Sequence, residues 1–120
     1  MDTDLTVTAL QSALRGLAQR QRVTADNIAN IETPNFTANQ VDFESSLRAA
    51  IEQAAVTGRP GAAAVTPIDT PTADPARQDG NNVNLDSETV NDLQTGLRYQ
   101  LMLRAVGDQF SLLRDSLRSV

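Results

Sequence analysis

The chain is 120 residues long with a net charge of −5, ten arginines, no lysine, no histidine and no cysteine. That composition excludes disulfide and thiolate chemistry, and an acidic chain without a basic stripe is a poor partner for nucleic acid, whose affinity comes mainly from phosphate neutralisation. Apolar residues make up 40%, much of it alanine, with three Phe, one Tyr and no Trp, so the chain is one domain at most and its core as a lone molecule is thin.

The first stretch, Met1-Asp2-Thr3-Asp4, is acidic and lacks the basic start and apolar run of a cleaved secretory signal. From about Asp4 to Asn30 the spacing predicts one long helix. Val7, Leu10, Leu14, Leu17, Gln21, Thr24, Ile28 and Ile31 follow each other in alternating steps of three and four. Side chains at that spacing share one stripe, which must be buried against another helix. Gln21 and Thr24 interrupt the stripe, either as a solvent-exposed stretch or as a polar layer that sets register between helices. Asn27 and Asn30 share a face, where their amides can pair with neighbouring backbone groups.

Thr33 precedes Pro34 and is pushed out of helical geometry, so the helix is expected to stop near Asn30, closed by Asn30 in a left-handed conformation. Pro34-Asn35 suits the centre of a turn, with Asn35 tolerating a positive φ. A second, shorter helix follows, with Asp42 as its cap and Phe43, Leu47 and Ile51 on one face, fading near Gly58. From Gly58 to Asn84 the chain holds four of its five prolines, Pro60, Pro67, Pro71 and Pro75, and is expected to be a mobile loop.

The last helix is expected to start with Asp86 as N-cap, Glu88 in the first turn, and Leu85 and Val90 forming a hydrophobic staple. Val90, Leu93 and Leu97 begin its apolar face. The stripe then continues through Tyr99, Leu103, Val106, Phe110, Leu113, Leu117 and Val120. A face that wide suits contact with more than one neighbour. The helices are expected to need partners to become fully ordered. No apolar run approaches the roughly 20 residues of a membrane span. Without histidine, cysteine or a glycine-rich phosphate loop, no catalytic, cofactor or metal site is expected; Asp69, Asp74 and Asp79 lie in the proline-rich segment without the spacing of a cation loop.

These readings give an all-α fold of two long terminal helices packed antiparallel, a short helix or turn after the first, and a flexible Pro-rich middle loop. Its parts are residues 1–35, 36–57, 58–84 and 85–120, with the two ends building one domain.

Two segments then carry a resemblance. Asp26-Asn27-Ile28-Ala29-Asn30-Ile31-Glu32-Thr33-Pro34-Asn35-Phe36 resembles the N-terminal signature of bacterial flagellar rod and hook proteins, with Asn35 and Phe36 where glycine and tyrosine are usual. Asp79-Gly80-Asn81-Asn82-Val83-Asn84-Leu85-Asp86, followed by Leu97-Arg98-Tyr99-Gln100, is similar to the C-terminal signature of the proximal rod subunit of the B type. The resemblance implies a structural part of the flagellar basal body, exported through the type III gate and assembled in the periplasm. Its partners would be copies of itself, other rod proteins, the basal-body base and the export gate. The alternatives are a C-type rod subunit and, from another class, a cytoplasmic helical adaptor or export chaperone.

On this reading Val7, Leu10, Leu14, Leu17, Asn27, Ile28, Asn30, Leu97, Tyr99, Leu103, Val106, Phe110, Leu113 and Leu117 form the assembly interface. Thr33, Pro34, Asn35 and Phe36 make the turn by which the chain leaves the helical layer. Gly80, Asn81, Asn82 and Val83 mark where it returns.

Overall fold

A computed structural model describes residues 3–118; Val120 of the C-terminal stripe, and Met1 and Asp2, lie outside the described residues. Helix α1 runs Thr3–Ala29, strand β1 Asn39–Asp42, helix α2 Glu44–Thr57, a 3-10 turn Pro60–Ala63, strand β2 Ile68–Pro71 and helix α3 Leu85–Arg118. The fold is mostly helical. The end of α1 meets the start of α3 through Asn27 and Glu88, and the start of α1 meets the far part of α3, where Val7 and Leu10 border Val106 and Leu113. The terminal helices are therefore antiparallel, as their stripes predict. The 34 residues of α3 span about 51 Å at about 1.5 Å per residue, so it runs most of the 66 Å long axis. The radius of gyration is 17.9 Å, against about 14 Å for a compact chain of this length. The molecule is a rod.

The middle of the chain differs from the mobile loop expected there. β2 pairs antiparallel with β1, Asn39 opposite Pro71 and Asp42 opposite Ile68. Ala63, at the end of the 3-10 turn, is completely buried. The buried Ser12 hydroxyl donates to its carbonyl at 2.8 Å and accepts from the Val65 amide at 3.0 Å. A polar composition predicts disorder when no apolar surface is available; here α1 supplies that surface and the hydrogen bonds.

Three cap assignments change as well. Asp42 ends β1, and Phe43 takes the N-cap position of α2 without a side-chain cap bond. Asn84, not Asp86, caps α3, its Oδ1 accepting from the Ser87 amide at 3.1 Å. Leu85 and Val90 are consequently exposed and no staple forms. Asn35 has φ +62° and is the one non-glycine residue with positive φ among those described, so α1 closes without a left-handed Asn30.

Leu17, Val41, Phe43 and Leu47 form the main core, flanked by half-buried Tyr99 and Met102 of α3. Burying each of these large side chains contributes roughly 1.5–3 kcal/mol. Phe43 lies flat against Gly16: a Cβ added there would stand 2.5 Å from three of its ring atoms. Arg20 also lies over the ring, its guanidinium carbon 5.0 Å from the centroid. The same guanidinium donates twice to the Val41 carbonyl and pairs with Glu44. Gly16 thus weakens α1 locally so that the aromatic anchor of β1 and α2 can seat.

Gly16→Ala should therefore destabilise the chain although alanine is the better helix former by about 1 kcal/mol. Overpacking costs about 1–3 kcal/mol, so the urea midpoint of the purified chain should fall. Adding Phe43→Leu should recover part of the loss. A midpoint that rises in the single variant would refute this packing.

Candidate assembly surface and helix junction

The end of an α-helix leaves carbonyls that need donors. At the end of α1 the Asn30 and Ile31 amides serve the carbonyls of Asp26, Asn27 and Ile28, and the turn that closes the helix takes its further donors from the far side of the chain. Asn81 is wholly buried, and its amide donates to the carbonyls of Asn30 at 2.8 Å, Ile31 at 3.1 Å and Thr33 at 2.8 Å. Its own carbonyl oxygen accepts from the Val83 amide at 2.8 Å. Arg77 adds donors to Ile31 and Val83. One asparagine thereby caps the first helix and aims the chain into the third.

The turn expected at Pro34-Asn35 is present: the Phe36 amide donates to the Thr33 carbonyl at 3.3 Å, with Asn35 in the left-handed region. The Asn35 amide donates to the Asp79 carbonyl at 2.8 Å. Gly80 sits directly against this turn with φ +82°, and a Cβ there would meet the Asn35 Oδ1 at 2.3 Å. Both the backbone angle and the space demand glycine. Departure turn and return segment are one hydrogen-bonded unit.

Two more asparagines extend the junction. Asn82 accepts from the Ala38 amide at 2.7 Å and donates to the Thr72 hydroxyl at 3.0 Å and the Asp74 carbonyl at 3.2 Å. Asn27, buried on α1, donates to the Asn39 carbonyl at 2.8 Å and accepts from the Asn39 amide at 3.0 Å. With Arg20 on Val41, α1 side chains occupy the edge of β1 that β2 leaves open. Asn27 also donates to Glu88 Oε1 at 3.2 Å, which joins both helices. Burial raises the Glu88 pKa above its ordinary value near 4.5; the Asn27 amide opposes this, and the Asp74 charge adds to it.

The residues expected on the assembly face divide into two groups. Leu17 and Asn27 are enclosed within the chain itself, Leu17 in the core and Asn27 in the junction. Leu10, Leu14, Ile28, Asn30, Tyr99 and Val106 are half-buried. Val7, Leu97, Leu103, Phe110, Leu113 and Leu117 are exposed, Leu97 by 68% and Leu117 by 71%. Of the two polar stripe positions, Gln21 is exposed and Thr24 buried. Val41, Ala63, Arg20 and Ser12 escaped sequence reasoning; none stands at a position whose spacing marks it.

Asn81→Ala would strand the Val83 amide and remove one of the two donors at each of the Asn30, Ile31 and Thr33 carbonyls. At about 1–3 kcal/mol for a buried group stranded, stability should fall by at least about 1 kcal/mol in denaturant titration, whereas Asn35→Gly should be close to neutral. Glu88 generates a pH effect. A carboxyl with a raised folded pKa holds its proton more tightly folded than unfolded, so its contribution is favourable when protonated and is lost as pH rises from near 4.5 through the raised value. Glu88→Gln keeps an acceptor for Asn27; it should raise stability at neutral pH and flatten the profile in that window.

The chain can be compared with known proteins on this geometry. Residues 8–37, α1 and its closing turn, match the family model described as flagella basal body rod protein. The flagellar basal body rod protein FlgB of Yersinia enterocolitica is 35% identical over 114 residues, covering 82% of this chain and 83% of that protein. FlgB of Escherichia coli K12 is 34% identical over 127 aligned positions, covering 91% and 90%, and FlgB of Bacillus subtilis 29% over 123, covering 93% and 92%. Identity of this extent runs through α1, the junction and α3 together, and the chain belongs to the FlgB type of the flagellar basal-body rod proteins, a structural subunit of the rod.

Proposed function

We propose that the chain leaves the cytoplasm through the flagellar type III gate without a cleaved signal and assembles in the periplasm into the proximal rod. There it packs its helices against copies of itself and other rod proteins, next to the basal-body base, and so transmits torque. The observation that carries this reading is the exposed apolar surface of α3: Leu103, Phe110, Leu113 and Leu117 are about half or more open to water in the lone chain. A chain with so thin a core gains further stability by burying such residues between subunits. No helix among the described residues is long and apolar enough to cross a membrane. Ordering of the helices is completed on assembly, which suits a chain threaded unfolded through a gate. A cytoplasmic adaptor would be a discrete folded oligomer instead, and the B-type relatives do not favour it.

Leu117 is exposed, and an exchange there should change the lone chain's stability by no more than about 0.5 kcal/mol. Leu117→Asp should leave the cellular level of the chain unchanged and remove it from purified basal bodies, with loss of motility. Normal incorporation of this variant would refute the interface.

A further inference from the structure

Helix α3 is apolar on two sides. Tyr99, Met102 and Val106 lie toward α1 and the core. Val90, Leu93, Leu97 and Leu101 follow in steps of three, four and four on the other side, and are 51, 64, 68 and 61% exposed. At about 100° per residue these four make one stripe turned away from α1. Nothing among the described residues covers it. A helix apolar on both sides is built to be enclosed on both.

The same chain holds a groove of about 840 Å³ between α1, α2 and the middle of α3, floored by Leu10, Leu17, Phe43, Leu47, Ile51 and Met102. Its α2 rim carries Glu44 at one end, Arg48 midway and Glu52 at the other, and Arg98 stands on the α3 side. Leu93 to Leu101 covers eight residue steps, about 12 Å of helix, and Glu44 to Glu52 covers the same length. Charge sets the polarity. Glu44 is already paired with Arg20, whereas Glu52 has no ion pair among the described residues. Arg104 stands seven residues beyond Leu97, on the same stripe, and is likewise exposed and unpaired among the described residues.

We propose that the groove of one subunit receives the Leu93–Leu97–Leu101 stripe of a second copy, with the second copy's α3 parallel to α2 and its Arg104 paired to Glu52. The inference deepens the rod-subunit reading and rests on it. Stripe and groove lie on different surfaces, so the contact is heterologous and each subunit offers a free groove and a free stripe to the next. Repeated, it builds a ring or a helical wall.

The test is charge reversal in a strain whose own gene is replaced. Arg104→Glu and Glu52→Arg singly should each lower the chain's content in purified basal bodies by about ten-fold, because each sets like charges against one another at the contact. The double variant Arg104→Glu/Glu52→Arg should restore it. Since the chain has no cysteine, Leu101→Cys and Ile51→Cys carried on separate copies give a second readout: oxidised basal bodies should contain a disulfide dimer only when both copies are present. Single reversals without effect, loss without rescue in the double variant, or a Leu101→Cys chain that links to itself would each overturn the docking. With wild-type chain present in basal bodies, those results leave the rod reading standing. Wild-type chain absent from basal bodies removes both.

Discussion

The structure depends on a requirement that follows from its topology. Two long helices must be joined through a segment that leaves the helical layer and comes back, and every buried backbone group along that path needs a partner. Three asparagines supply several of them. Each offers a donor pair and an acceptor on a short stem, so one side chain can serve two strands of backbone at once. Asn81 holds the end of α1 and the start of the approach to α3; Asn82 holds the two sides of the strand pair; Asn27 holds β1 and reaches Glu88 on α3. Remove that layer and the helices lose their fixed register, because apolar side chains on heptad stripes can slide past one another by a repeat.

This division of labour explains the thin core. Polar geometry sets where α1 and α3 stand, while Phe43, Leu17, Val41 and Leu47 anchor α2 and the strand pair on α1. Much of the remaining large apolar surface lies on α3 and is left in water. For an isolated domain that would be an error of composition. On the proposed reading of a rod subunit the surplus joins one subunit to another, and the asparagine junction lets the lone chain present it in a defined orientation.

The long helices were readable because periodicity is a local property: the stripe from Val7 to Ile31 and the one from Tyr99 to Leu117 fall on antiparallel helices, and Pro34-Asn35 makes its turn with Asn35 at positive φ. The strand pair was not readable. Its two strands have four residues each, are separated by α2, and present no alternation long enough to stand out from the surrounding Pro, Thr and Asp. What holds them is a set of non-local bonds from Ser12, Arg20 and Asn27, whose partners no spacing rule connects. The density of asparagine in Asn81-Asn82-Val83-Asn84 was the available signal. The spacing that marks an apolar stripe does not tell a side chain spent on the core, such as Leu17, from one left exposed, such as Leu117.

The exposed side of α3 also bears on how an elongated subunit avoids premature association. Stripe and groove are both present on every free copy, so attraction alone would polymerise the chain wherever it is made. A chain that travels unfolded presents neither surface, since the groove exists only once α2 and the strand pair have docked on α1. The asparagine junction brings together residues about 50 positions apart in sequence, so the groove cannot form before most of the chain has emerged. Long-range closure is slow relative to local helix formation. On the docking proposed above, helix α3 can form first and its stripe would meet a groove already offered by a subunit in place. Growth at an existing end would then be favoured over nucleation in solution, for a reason written into the connectivity of the fold.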